Sequence, residues 1–279
     1  MSLDAFLHSD LVWLVPALIV GGAVTGFLAG LFGIGGGGIT VPILYQTFRL
    51  VGVSDAIAMP LSIGTSLAVI IPTSLSSTRA HLSRGAVDID LWKRWVVPVT
   101  VGVMGGAWIA RYAPASLFKI VFIAISMFSA WRFLGGRTNW RIGDEMPRGP
   151  ALAAQGMSIG LLSSLMGVGG AQIVNLFMSL YGAPIIRAVA TSAAIGVVVS
   201  IPGAIGYALA GWSKEGLPPL SLGFVSIVGF VLVSPLAVAL APVGARLAHS
   251  WTRRQLEIAF GIFLVLICLR FGVSLVFGV

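Results

Sequence analysis

The chain has 279 residues, 57% of them hydrophobic and 9% charged, with a formal net charge of +8. Soluble domains carry roughly 25% charged residues, and a chain of this length cannot hide so much apolar surface in its own core. The composition therefore excludes a soluble domain and points to a chain that crosses a bilayer several times. The basic excess comes without runs of Lys and Arg interleaved with aromatics, so it argues for cytoplasmic membrane loops and against nucleic acid.

The lone Cys268 lies in the apolar run FGIFLVLICLRF, which excludes an internal disulfide and a multi-cysteine metal site. It reads as a small apolar filler. His8, His81 and His249 are scattered and form no ligand pair, so no metal and no cofactor are expected. The start MSLDAFLHSD has no basic region and precedes an apolar run long enough to span, so no secretory signal is expected either.

In chain order, a window of about 20 residues finds apolar spans at 11–32, 61–78, 95–110, 117–134, 190–212, 222–241 and 256–275. Two further pieces, 39–50 and 173–181, are apolar but too short for an ordinary span. Each follows a Gly-rich break, and 151–166 leads into the second one. Counted as helices, these segments make about ten, five in each half.

The halves resemble one another. GFLAGLFGIGGGG, from Gly26, aligns with GLLSSLMGVGGAQ, from Gly160, so that Gly33, Gly35 and Gly36 fall on Gly167, Gly169 and Gly170. Thr65-Ser66 answers Thr191-Ser192, and Ile71-Pro72 answers Ile201-Pro202. GGAWIA, from Gly105, resembles VGARLA, from Val243. FKIVF with Arg132 downstream matches LEIAF with Arg270 downstream. The expected organisation is a first repeat over 11–134, a cytoplasmic linker over 135–150 and a second repeat over 151–279.

An odd number of spans per repeat turns the second repeat upside down. With the N-terminus outside, the cytoplasmic loops collect Arg79, Arg84, Lys93, Arg94, Arg137, Arg141, Arg148, Arg187, Arg246, Arg253 and Arg254. The far side keeps mainly Arg49, Arg111, Lys119 and Lys214, as the positive-inside rule requires. The fold expected is thus an all-α polytopic membrane protein. Its two inverted five-helix repeats would carry Gly-rich broken helices at the midplane, where transporters place their sites.

The stretch Gly33-Ile34-Gly35-Gly36-Gly37-Gly38 also satisfies the dinucleotide fingerprint G-x-G-x-x-G. That fingerprint needs a buried strand before the glycines. Here a span-length helix candidate precedes them, and the second copy has Gln172 where the third glycine should be. The better reading keeps only part of the physics. Irregular backbone at membrane depth is tolerated where it lines a cavity, and helices restarting after glycine breaks present N–H groups and positive dipole ends to an anion. Gly22, Gly26 and Gly30, spaced by four, read instead as close helix packing.

Polar side chains inside apolar spans add candidates. Gln172 and Asn175 share one face of the short helix after the second break, as anion donors or as interhelical hydrogen bonds. Thr65, Ser66, Thr191 and Ser192 either line the site or bond back to their own helix carbonyls. Arg132 and Arg270 read as snorkelling to the interfaces, Arg79 and His81 as facing a cytoplasmic loop. The carboxylates are peripheral, so no proton-coupling residue is evident, and no catalytic constellation is found.

At GLFGIGGGGITVPIL, its partner GLLSSLMGVGGAQIVN and the Thr-Ser segments SIGTSLAV and VATSAAIG, the chain resembles the TauE/SafE sulfite exporter-like permeases. The resemblance runs from Leu11 to Phe271. It implies a multi-pass permease of the bacterial inner membrane for a small sulfur-containing anion such as sulfite or sulfoacetate. Beside the bilayer and that anion, a second copy of the chain is a candidate partner.

The residues expected to bind are Gly35, Gly36, Gly37, Gly38, Thr65, Ser66, Gly169, Gly170, Gln172, Asn175, Thr191 and Ser192. An alternating-access carrier is the first reading, an anion channel with a Gly-lined filter the second, and a membrane scaffold without substrate the third.

Overall fold

The computed structural model describes residues 11–32, 37–135, 142–143, 146–248 and 250–277. Among these the chain forms ten α-helices. The first half holds α1 (Leu11–Phe32), α2 (Gly37–Leu50), α3 (Asp55–Leu82), α4 (Ile89–Ala110) and α5 (Ala115–Gly135). The second holds α6 (Pro150–Met166), α7 (Ala171–Leu180), α8 (Ile185–Ala210), α9 (Ile227–Ala248) and α10 (Arg253–Phe277). A two-residue hairpin, β1 (Ser221–Leu222) with β2 (Val225–Ser226), precedes α9.

Local chemistry sets several boundaries. Asp88 caps α4, its Oδ1 accepting the N–H of Leu91 at 3.1 Å. Pro150 opens α6, where a missing N–H costs nothing. Gly167, at φ 67°, closes that helix in the left-handed region, with the N–H of Val168 returning to the carbonyl of Ser163 at 3.0 Å.

The long helices begin a few residues ahead of the apolar runs, because polar first turns such as Asp55 at the head of α3 still lie within the helix. The span expected at 222–241 starts only at Ile227. Gly223, at φ 53°, turns the chain so that the backbone carbonyl carbon of Phe224 stands 3.0 Å from the place a Cβ on Gly64 would occupy.

Helices α3, α5, α8, α9 and α10 are long and apolar enough to cross a membrane. Exposed helix faces are apolar too. Val97, Val101, Met104 and Trp108 form an exposed stripe along α4, and Ile201, Ile205 and Leu209, followed by Trp212, form one along α8. Side chains repeating every three or four residues occupy one helix face, and a face of this kind needs lipid.

The helices pair across the two halves. α1 lies along α9, and a Cβ on Gly22, Gly26 or Gly30 would stand 3.0, 2.6 or 2.9 Å from the Cα of Val233, Ala237 or Ala241. The same seam recurs between α4 and α6, where a Cβ on Gly106 would stand 2.9 Å from that of Ser164. Small residues let these backbones touch, which is how helices associate in lipid. α3 crosses α8, and α5 packs on α10, each pair antiparallel.

The short helices fold back. α2 returns along α1, with Ile43 against Gly21. At the second break, the N–H of Ile142, ahead of α6, reaches the carbonyl of Leu180 at the end of α7 at 2.8 Å.

Candidate anion site

The segment joining α6 to α7 is buried throughout, from Ser163 to Val174. Two of its glycines, Gly167 at φ 67° and Gly170 at φ 77°, hold left-handed conformations. Gly169 answers a different demand, close approach, since a Cβ there would fall 2.7 Å from Cγ2 of Ile70 on α3.

The head of α2 meets this segment. A Cβ on Gly37 would stand 2.7 Å from the Cα of Val168 and 2.8 Å from the carbonyl oxygen of Gly167, whereas one on Gly38 would have Oε1 of Gln172 at 3.6 Å as its nearest neighbour. The first residues of α2 and α7 are therefore side by side in the protein interior. First-turn N–H groups have no partner within their own helix, and they carry the positive end of its dipole. Two such ends converge here. Gly35 and Gly36 lie outside the described residues.

The side chains expected to line the site divide into those at the junction and those elsewhere. Ser66 donates to the carbonyl of Gly167 at 2.9 Å, which ties α3 to the second break. Gln172 is buried and donates from Nε2 to Oγ of Ser129 on α5 at 2.8 Å. Asn175 follows one turn later, and among the described residues its buried Oδ1 has no hydrogen-bond partner.

Thr65 and Thr191 perform matched tasks at helix starts. Thr65 accepts the N–H of Ser226 at 2.9 Å, and Thr191 accepts the N–H of Asp88 at 2.9 Å. Ser226 and Asp88 in turn cap the heads of α9 and α4. Ser192 bonds within its own helix, to the carbonyl of Val189 at 2.8 Å.

Sequence reading missed Ser126, Ser129 and Ser163. Ser129 receives Gln172, and Ser126 lies one turn earlier on the same face of α5. Ser163 Oγ is 3.6 Å from where a Cβ on Gly170 would be. The hydroxyls of Ser126 and Ser163 are fully buried without a hydrogen-bond partner among the described residues. Three hydroxyls breaking apolar runs (ISMFSA and LLSSLM) were the available signal.

Lys119, expected on the far side of the membrane, is 1% exposed, inside α5, and paired with Asp55 at 2.7 Å. It is the sole buried charged side chain among the described residues. Its charge is already matched by Asp55. Arg270, expected to snorkel, reaches back to Oε1 of Gln46 on α2 at 3.1 Å.

Apolar outer faces and five helices long and apolar enough to span a bilayer together define a multi-pass helical membrane protein. The particular family follows from sequence comparison: the chain belongs to the sulfite exporter TauE/SafE family, whose model matches residues 18–271. A probable membrane transporter protein of Haemophilus influenzae is 27% identical over 89% of this chain and 94% of its own length. One from Methanocaldococcus jannaschii is 26% identical, over 90% and 93% respectively. A Bacillus subtilis relative, also a probable membrane transporter protein, is 29% identical over 70% of this chain and 78% of its own. No solved structure matches significantly. The family is one of membrane transporters, not of enzymes.

Proposed function

We propose that the chain is a permease of the bacterial inner membrane that moves a small sulfur-containing anion, sulfite or an organosulfonate such as sulfoacetate, by alternating access. The observation that carries this is the junction itself. Two short helices, α2 and α7, start beside each other in the interior, with unpartnered hydroxyls and an amide oxygen nearby. Backbone N–H groups and paired dipole ends suit an oxyanion without a buried arginine. Gly35, Gly36, Gly37, Gly38, Gly169, Gly170, Gln172 and Asn175 would bind it, with Thr65, Ser66, Thr191 and Ser192 in the walls.

The chain would be organised as two inverted repeats, 11–134 and 151–279, joined by a cytoplasmic linker, 135–150. The packing supports this. Exchanging the first five helices for the last five turns the α1–α9 pair into α6–α4, and returns α3–α8 and α5–α10 onto themselves. A hairpin, α1 with α2 or α6 with α7, followed by three further helices would give each repeat the odd count of crossings that inversion needs. The same path collects Arg84, Arg148 and Arg254 on one face, which the positive-inside rule assigns to the cytoplasm.

Purified protein in liposomes, presented with sulfite, thiosulfate, sulfoacetate, taurine and sulfate, tests the reading. Saturable uptake with counterflow is the expected result. Flux without saturation or counterflow would favour a channel, and no flux with any of these anions would overturn transport.

A further inference from the structure

Burying Lys119 demands an explanation. Its Nζ donates to both oxygens of Asp55, at 2.7 and 2.8 Å, and to Oγ of Ser274 at 3.0 Å, so all three protons are used. Tyr45 donates to the same carboxylate at 2.6 Å and lies 3.0 Å from the Ser274 hydroxyl, and the Lys119 ammonium is 5.0 Å from the centre of its ring. The cluster joins four helices: α2, α3, α5 and α10. Asp55 is the solvent-facing member of the cluster, 38% exposed, while Lys119 is 1% exposed.

Such a pair is a poor way to add stability. The cost of desolvating the buried ammonium offsets much of its attraction to Asp55, and apolar residues of similar volume often serve as well or better. The same balance makes it suitable for a contact that must open. When the two sides part, water recovers the solvation of the ammonium, so the open and closed states stay close in free energy. A tightly packed apolar seam would hold one state much more firmly.

The surroundings show what would part. α5 and α10 pack far more on each other than on any other helix. Phe122 meets Phe271 edge to face with centroids 5.1 Å apart, Cys268 lies 3.8 Å from the carbonyl of Ile123, and Arg254 binds the carbonyls of Phe133 and Leu134. Polar ties bind this pair to the remaining helices: the Lys119 cluster, Arg270 to Gln46, and Ser129 to Gln172. The last two end on α2 and α7, the helices that carry the glycine junction.

We propose that α5 and α10 move as one body against the other helices during transport, and that the Asp55–Lys119 pair, braced by Tyr45 and Ser274, is the latch that shuts it at the end where α3 begins. The proposal rests on the alternating-access reading.

Spin labels in liposomes test the latch without needing a substrate. On a Cys268→Ser background, one label pair at Leu50 and Val276 reports α2 against α10, and a second at Ile120 and Val273 reports α5 against α10. All four positions are exposed. The wild type should show mainly the short Leu50–Val276 distance. Asp55→Asn and Lys119→Met should each populate a longer one several-fold more, and the swap Asp55→Lys with Lys119→Asp should restore the original distribution. The Ile120–Val273 distance should stay single throughout. Tyr45→Phe, which removes one donor, serves should Lys119→Met fail to fold. An unchanged Leu50–Val276 distribution in all single variants overturns the latch, and an Ile120–Val273 distance that shifts as much overturns the single body. Sulfite and sulfoacetate flux in the same vesicles separates the two readings: no flux, with distances shifting as stated, overturns the carrier and leaves the latch standing.

Discussion

Thr65 Oγ1 accepts the backbone N–H of Ser226 at 2.9 Å, across 161 positions of sequence. Its counterpart, Thr191, accepts the N–H of Asp88 at the same distance. In both places a threonine of one half satisfies the residue that caps a helix of the other. Neither hydroxyl is exposed, so removing it strands a buried donor, which costs about 1–3 kcal/mol. Thr65→Val and Thr191→Val should therefore each lower the thermal midpoint in detergent, while Thr65→Ser keeps it. A midpoint unchanged in both valine variants would show that water can replace these bonds.

Gly26 and Gly272 are both helical glycines, yet they should respond oppositely to alanine. A Cβ at Gly26 would press 2.6 Å from the Cα of Ala237, whereas at Gly272 nothing lies within 4 Å. Intrinsic propensity favours alanine by about 1 kcal/mol in a helix interior. Gly272→Ala should thus hold or raise the midpoint, and Gly26→Ala should lower it by prising α1 from α9. Size-exclusion profiles and melting curves of the two variants decide the matter.

Gly38 offers a way to fill the junction without breaking the fold. Among the described residues, a Cβ there meets just the Gln172 amide oxygen, at ordinary contact distance of 3.6 Å. Gly38→Leu should leave the folded protein intact and abolish anion binding and flux. Gly37→Leu, with Val168 backbone 2.7 Å from its Cβ, should instead impair folding. Near-normal flux through Gly38→Leu would place the binding site somewhere else.

What the sequence made legible was whatever repeats or interrupts. The four-residue spacing of Gly22, Gly26 and Gly30 announces a helix seam, and the structure puts α9 on it. The doubled glycine runs mark the second break, where Gly167 and Gly170 take left-handed conformations that other residues resist. Long-range polar pairing left no such trace. Lys119 and Asp55 are 64 positions apart and both sit close to helix starts, where a charge ordinarily reads as an interface residue. Only the packing of α3 against α5 reveals that they face one another inside. The Thr-Ser pairs show both cases at once: their recurrence was visible, but their partners Ser226, Asp88 and Gly167 depend on helix crossings that no local pattern encodes.

Ser126 separates a ligand site from a packing defect. Its hydroxyl is fully buried without a hydrogen-bond partner among the described residues, one turn from the Ser129 that receives Gln172. An unsatisfied buried hydroxyl costs stability, so Ser126→Ala should hold or raise the melting midpoint. If that hydroxyl waits for an anion, the same change should weaken binding. A hydrogen bond to a charged group is worth about 1.5–3 kcal/mol, which corresponds to roughly a tenfold loss of affinity or more. Ser221 supplies the control, since its hydroxyl is also buried and, among the described residues, unpartnered, but lies in the hairpin before α9. Ser221→Ala should leave affinity untouched. Binding of sulfite to both variants, measured by calorimetry beside their melting curves, gives the comparison. Equal affinity in Ser126→Ala and the wild type would remove Ser126 from the site, and a loss in both variants would mean that the effect is not local.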